Sequence, residues 1–586
     1  MINNIKKSIS EYEIETVLIG FFAMSLMLYV LFILRVNVVY ALIPFVVMFV
    51  IRYKEAKIFL ILAALVLFSV VFRGEQSDFL IMIGDPSSYL LDGLAYINNT
   101  FQSQNHFPPL TSAYSALSML VFSESYSSIL FQIVSCVLLL VFYSTLKNIY
   151  SGELLPIITS LALFMSPILI LYSKSTYSEN VFILFILTTF WVFLTSIKTR
   201  NEYVVFILLA FISFLSIQTR GTGIFLAYLI LFVSVYKNIF SRKIFYYGLA
   251  IVSIASFSLL FFQRYNYTWN WQLSPYMKTL GDIESLYLLS SIFVFILLSK
   301  ILLSGYDKRY NLINIFSIIM SVIFFVYDAY RFLSSDYSNT VSFFNFHFHW
   351  LLLPVMILGY LSALRKAYNG EPAYLFLVLA FPMFGAIILL RNISPVMDHA
   401  FWMYWHRYYF SEIFIIHFLY LSVGIHYIIN SSTKNAKKII FVFVSIYSIA
   451  NAEKIYLAVN NSMYGSADLM YRDIQDNSDY YLFDSSDTHY YYTTDKLFQP
   501  YFSAKGYKSM TIDGFNHTYT DNNVTSGPGK ITCIAKHFDK CDFGKQYQIV
   551  SKNVYNLNSL RHSHHKRTMA EEAVLSVYVI KFALVE

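Results

Sequence analysis

The chain has 586 residues, 57% of them hydrophobic and 13% charged, with 55 Phe and 49 Tyr. Soluble domains carry about 25% charged residues, so a water-soluble globule is excluded and the fold class is a polytopic α-helical membrane protein. The net charge of +7 is spread over short loops and forms no patch, which leaves no footprint for nucleic acid.

Met1 to Glu15 is polar and runs into the first apolar stretch without a small-residue cleavage site, so no separate signal peptide is expected. A spanning helix needs about 20 apolar residues, and by that measure about fifteen runs qualify, for about 13–15 spans. They fall near 15–34, 38–51, 57–73, 126–146, 153–171, 180–197, 203–218, 221–236, 244–262, 286–303, 311–327, 349–364, 372–390, 413–430 and 438–456. The 38–51 run is short, and the pair around Arg220 reads either as two half-helices or as two spans. Lys6 and Lys7, Arg52, Lys54, Lys147, Lys198, Lys237, Lys308, Arg365 and Lys434 share one side if the spans alternate. The positive-inside rule makes that side cytoplasmic. The candidate site residues then fall on the extracytoplasmic face.

Cys136 lies in an apolar run and reads as a small core residue. From about residue 457 the chain turns polar, with alternating stretches such as Asp479 to Asp484 and Gln546 to Ser551 that read as strands. The expected organisation is a multi-span domain over 1–456 and a small extracytoplasmic α/β domain over 457–586. Cys533 and Cys541 lie close together in the second, as a local disulfide or as two free thiols.

Five polar features interrupt the lipid-soluble pattern. GDPSSY, Gly84 to Tyr89, opens the first long outer loop. Asp85 before Pro86 is a standard helix start, and a carboxylate fixed there is also able to take a proton from an incoming hydroxyl. His106 and Phe107 precede Pro108-Pro109-Leu110, which launches an apolar helix expected to lie at the interface. Glu179 enters a span in YSKSTYSEN, either as a macrodipole-favoured first-turn Glu or as a second acidic site residue, with Lys174 nearby as a phosphate contact. Arg220 breaks an apolar stretch, a setting in which Arg is buried with an anion. The outer loop from Met397 to Phe414 holds Asp398, His399, His406, Arg407 and Tyr408. An interfacial aromatic belt accounts for some of its Trp and Tyr, and Arg407 just before a span suits bidentate phosphate binding. FNFHFHW, Phe344 to Trp350, reads as interfacial, and the basic run Arg561 to Arg567 as a solvated surface. No Walker loop, dinucleotide motif, Ser-His-Asp order or CxxC pair is present.

Taken together, Asp85 with Tyr89, Pro108-Pro109-Leu110, Glu179 and Arg407-Tyr408 resemble the GT-C superfamily of membrane glycosyltransferases, in the branch of protein mannosyltransferases and the lipid A aminoarabinose transferase. The likeness covers roughly residues 57–430, and Pro86 and Phe107 stand where many members have Glu and some have Lys. The resemblance implies a sugar donor linked to polyprenyl phosphate and a glycan, lipid or protein acceptor on the extracytoplasmic side. Asp85 would be the catalytic base and Glu179 the second acidic residue. Arg407, Arg220 and Lys174 would meet the donor phosphate, with Tyr89, His106, Tyr408, His406 and Asp398 lining the substrate path. No cofactor is firmly implied; a divalent metal stays open, although one Asp without a carboxylate cluster argues mildly against an obligatory ion. An O-antigen polymerase or ligase and a lipid-linked sugar transporter or flippase are the alternatives.

Overall fold

The computed structural model describes residues 11–51, 56–73, 85–99, 108–122, 127–150, 152–176, 178–196, 202–220, 222–236, 344–345, 347–390, 409–431, 436–460, 478–485, 499–504, 507–520, 528–543, 547–562 and 570–584, with 319, 322, 323, 326, 470 and 474. The apolar runs at 244–262 and 286–303 lie outside the described residues, as does most of 311–327.

The helical part begins with α1 (Glu11–Leu34), α2 (Ile43–Ile51) and α3 (Ala56–Arg73), then α4 (Asp85–Ile97), α5 (Pro109–Phe122) and α6 (Ile129–Ile149). There follow α7 (Leu154–Phe164), α8 (Pro167–Ser173), α9 (Ser178–Trp191), α10 (Glu202–Thr219) and α11 (Gly223–Tyr236). After the next described stretch come α12 (Leu353–Tyr368), α13 (Pro372–Leu390), α14 (Ile415–Ser431) and α15 (Ala436–Asn460). Among the described residues six helices are long and apolar enough to cross a membrane, or seven if the bent pair α7–α8 is one span. Five shorter apolar helices accompany them.

Local chemistry explains the interruptions. The 38–51 run becomes a 3₁₀ turn, Val38–Leu42, capped by Asn37, and then α2. The 153–171 run breaks at Ser166, whose hydroxyl accepts from the Leu169 amide while Pro167 takes the first helical position. The two pieces meet at 58°. Inside the bundle, hydroxyls turn back onto their own helices: Ser135 donates to the Phe131 carbonyl, Thr145 to Val141, Thr189 to Phe185 and Thr219 to Leu215. A lipid-solvated bundle has no water to take these donors, so the i−4 carbonyl does.

Helix α9 is the centre. From Ser178 to Thr195, through α9 and the turn that continues it, 94% of the residues are buried within the protein, as expected for a helix apolar on every face. Helix α5, expected at the interface, is instead an interior element. Leu110 through Met119 are all buried, and the helix packs on α1, α4 and α6. Its small residues, Ser112, Ala113, Ser115 and Ala116, allow that close packing. FNFHFHW also departs from expectation: Phe344, His347 and Phe348 are buried and Trp350 is exposed. Phe414, in the turn before α14, and Phe418, on α14, pack on Phe348 and give this segment an apolar lining inside the bundle.

Helices α12 and α14 approach to backbone contact. A Cβ on Gly359 would sit 1.8 Å from the Tyr420 carbonyl oxygen, and one on Gly424 would sit 2.1 Å from that of Val355. Small residues at a membrane helix interface permit this approach, and van der Waals packing rather than water exclusion then holds the pair.

The C-terminal region forms a five-stranded sheet. Its strands are β1 (Tyr480–Phe483), β2 (Ser509–Thr511), β3 (Lys530–Ala535), β4 (Tyr547–His562) and β5 (Ala570–Leu584), in the order β2-β1-β3-β5-β4. Strand β1 is parallel to β2 and β3, whereas β3, β5 and β4 are antiparallel. Alternation divides the sheet into two faces. Leu482, Ile531, Cys533, Ile580 and Phe582 form a small core of their own with Ile512 and Phe515. Tyr481, Phe483, Ile534, Val577 and Val579 belong to the cluster that runs through the helical bundle. Phe502, in helix α16 (Gln499–Ala504), belongs to that cluster too, and α16 packs on α4. Cys533 and Cys541 form a disulfide, and Cys136 is a free, buried cysteine.

Gly359→Ala is expected to lower stability by about 1–3 kcal/mol through overpacking. The thermal unfolding midpoint in detergent should fall accordingly, and an unchanged midpoint would mean that the two backbones do not approach this closely.

Candidate active site

The bundle buries a charged cluster. Arg220 follows the last residue of α10, and the tight turn back into α11 is closed by Gly223, where a Cβ would lie 2.0 Å from the Ser216 carbonyl oxygen. Its guanidinium has two carboxylate partners. Nη1 donates to Glu179 Oε1 at 2.6 Å and Nε to Glu412 Oε1 at 3.0 Å. Glu179 and Glu412 are fully buried and Arg220 is 7% exposed. Thr222 donates to Glu412 Oε1 at 3.1 Å, and Ser411 donates to Oε2 of the same carboxylate.

Glu179 stands in the first turn of α9, so it serves the helix macrodipole and the ion pair together. Ser178 beside it donates to Glu179 Oε2 at 3.2 Å. The Ser178 hydroxyl also lies 3.4 Å from Arg220 Nη1 and 3.4 Å from the Tyr89 hydroxyl. Tyr89 is on α4, one turn after Asp85, the first residue of that helix. The beginnings of α4, α9 and α14 therefore gather at the end of α10.

Lys174 is at the same end, at the C-terminus of α8. Its ammonium is buried and donates to the carbonyls of Ala458 at 2.9 Å and Val459 at 2.7 Å. Those carbonyls belong to the last turn of α15, where a cation also meets the negative end of the macrodipole. His106, Asp398, His406, Arg407 and Tyr408 lie outside the described residues.

Immediately after Arg407 and Tyr408, the chain is anchored. Tyr409 is buried, with its hydroxyl 2.6 Å from His417 Nδ1 and its ring stacked on His347 at 5.4 Å. Sequence reasoning misses this anchor because its parts come from two distant segments. It also misses Glu412, which carries the same signal as Arg220, a charge inside an apolar run, masked here by neighbouring aromatics. Asp92 is a further omission. It lies on α4 seven residues after Asp85, nearly two full turns and so on the same face.

Asp92 is buried, and Ser112 of α5 donates to its Oδ2 at 3.4 Å. Helix α4 is not among the helices able to cross a membrane by length and composition. Burial pushes the Asp92 carboxyl up to about 7, the Ser112 hydrogen bond pulling the other way. Among the described residues, no three His, Cys, Asp or Glu side chains come together as metal ligands.

No family model matches the chain, and no curated protein matches it. Solved structures do. One is the oligosaccharyltransferase of Archaeoglobus fulgidus in its apo form, 12% identical, with a TM-score of 0.47 over 81% of this chain and 69% of that one. The same archaeal enzyme, AglB, in complex with an inhibitory peptide and a dolichol-phosphate, gives 12% identity and a TM-score of 0.44 over 82% and 70%. ArnT of Cupriavidus metallidurans bound to undecaprenyl phosphate gives 10% identity and a TM-score of 0.39 over 89% and 97%.

A carboxyl raised by burial favours its protonated form in the fold, so its contribution to stability falls as pH rises from the unfolded value near 3.8 toward about 7. Asp92→Asn removes that penalty. The variant should match the wild type near pH 4 and gain on it by pH 8, by up to about 4 kcal/mol at 1.36 kcal/mol per pKa unit. Thermal unfolding across that range is the measurement, and a pH-independent difference would place the carboxylate in contact with water.

Proposed function

We propose that the chain is an extracytoplasmic glycosyltransferase that moves a sugar from a polyprenyl-phosphate-linked donor to an acceptor hydroxyl on a glycan, lipid or protein. The observation that carries this reading is the buried Glu179–Arg220–Glu412 cluster, joined through Ser178 to Tyr89 on the helix that starts at Asp85. Charged groups inside a membrane domain are costly and mark sites of function. This cluster brings together three of the elements that the sequence motifs single out.

In the proposed reaction Asp85 removes the acceptor proton as the nucleophile attacks the anomeric carbon. The bond to the donor phosphate oxygen breaks in the same step, with inversion, and the polyprenyl phosphate leaves as an anion. Arg407 holds that phosphate bidentately and stabilises the charge developing on it. Arg220 faces Glu179 and Glu412, and Lys174 the carbonyls that end α15, so both help to frame this end of the bundle. His106, Asp398, His406, Tyr408 and Tyr89 line the approach. The residues 457–586 contribute acceptor binding or stability and supply no catalytic carboxylate. The Cys533–Cys541 disulfide supports an oxidising compartment for that region, hence the extracytoplasmic side.

Asp85→Asn keeps the size of the side chain and removes the base. Transfer from a lipid-linked sugar pool by purified protein should fall by about 10²–10⁴, with donor binding retained. Arg407→Ala should weaken donor binding instead. Mass spectrometry of surface glycans from cells with and without the protein identifies the product. Sugar transfer in detergent, with no sealed vesicle, separates an enzyme from a flippase; near-normal transfer by Asp85→Asn would remove Asp85 from the mechanism.

A further inference from the structure

Glu412 lies in a π-helical turn, Phe410–Phe414, that leads into α14. Such turns are rare and appear frequently at functional sites. This one sets a fully buried carboxylate against Arg220 Nε. Retaining a buried ion pair is not explained by stability, because apolar replacements of similar volume are often neutral or stabilising.

From Glu412 the polar contacts continue in one direction. Arg220 Nη1 reaches the Ser178 hydroxyl at 3.4 Å, and the Tyr89 hydroxyl reaches it at 3.4 Å from the other side. A serine hydroxyl has one donor and two acceptor positions. Ser178 uses all three: it accepts from Arg220 and Tyr89 and donates to Glu179 Oε2 at 3.2 Å. The result is a saturated hub between α4 and the turn that enters α14. Asp85 stands one turn before Tyr89, and Arg407 precedes Glu412 by five residues.

We propose that Tyr89, Ser178, Arg220 and Glu412 form a strut that fixes α4 against the Phe410–Phe414 turn, making Glu412, Ser178 and Tyr89 positioning residues for the transfer. The assignment rests on the function proposed above. A displacement reaction loses rate steeply when base and leaving group shift by about 1 Å. Helix α4 is the element that needs such a tie: it is 13 residues long and not a spanning helix. Its hold on the turn into α14 is therefore a matter of side-chain contacts.

The test is amide hydrogen exchange on the full-length protein in nanodiscs containing undecaprenyl phosphate as the probe lipid. Glu412→Gln, Ser178→Ala and Tyr89→Phe should each raise exchange in the Asp85–Ile97 peptide by about tenfold, the change in local opening expected for one lost hydrogen bond. Glu412→Gln combined with Ser178→Ala should exceed neither single variant, since both cut the same chain. A merely local role for Glu412 would raise exchange around α14 and leave α4 as in the wild type, and that result overturns the strut. Additive effects in the double variant overturn it as well. Should Glu412→Gln fail to fold, Ser178→Ala with Tyr89→Phe carries the same comparison. Wild-type protein that does not bind undecaprenyl phosphate, with surface glycans unaffected by Asp85→Asn, would defeat the proposed function while leaving the exchange result to decide the strut.

Discussion

A guanidinium held between two carboxylates in the interior of a helical bundle is the constraint that organises this protein. Two buried carboxylates and one arginine leave excess negative charge, and in a low-dielectric setting that arrangement survives only with dense hydrogen bonding. Thr222, Ser411 and Ser178 supply it. Removing Arg220 strands two buried charges, a change that costs about 3–5 kcal/mol in soluble proteins. The starts of α9 and α14 and the turn between α10 and α11 are therefore fixed by electrostatics, and the aromatic packing around them follows.

Much of the helical part was legible in the sequence because lipid imposes a simple rule. Among the described residues, apolar runs of the right length appear as helices, and the short 38–51 and broken 153–171 runs appear where Asn37 and Ser166-Pro167 cap and restart the chain. The strands at Asp479–Asp484 and Gln546–Ser551 were legible by alternation and are found in β1 and β4. Tertiary depth was not legible. A helix such as α5 has the composition of an interfacial segment, and only its neighbours α1, α4 and α6 decide that it is enclosed.

The candidate site divides in the same way. Single residues announced themselves by breaking a pattern, as Glu179 and Arg220 do. Partnerships did not, because Arg220 and Glu412 are separated by 192 positions and no local rule joins them. The Tyr409–His417–His347 anchor is another case, assembled from α14 and from a segment that looked interfacial.

The C-terminal sheet has two apolar faces with different destinies. One is closed by Ile512 and Phe515 within the sheet's own layer, and the other is continuous with the helical bundle through Tyr481, Phe483 and Phe502. During synthesis the sheet emerges after α15 has been made. Its second face finds its apolar partner only on an already assembled bundle, since water offers none. Biogenesis is thus ordered by the sheet: completed helices act as the template on which it settles, and a chain stalled before that point carries an uncovered β surface of the kind that chaperones and proteases recognise.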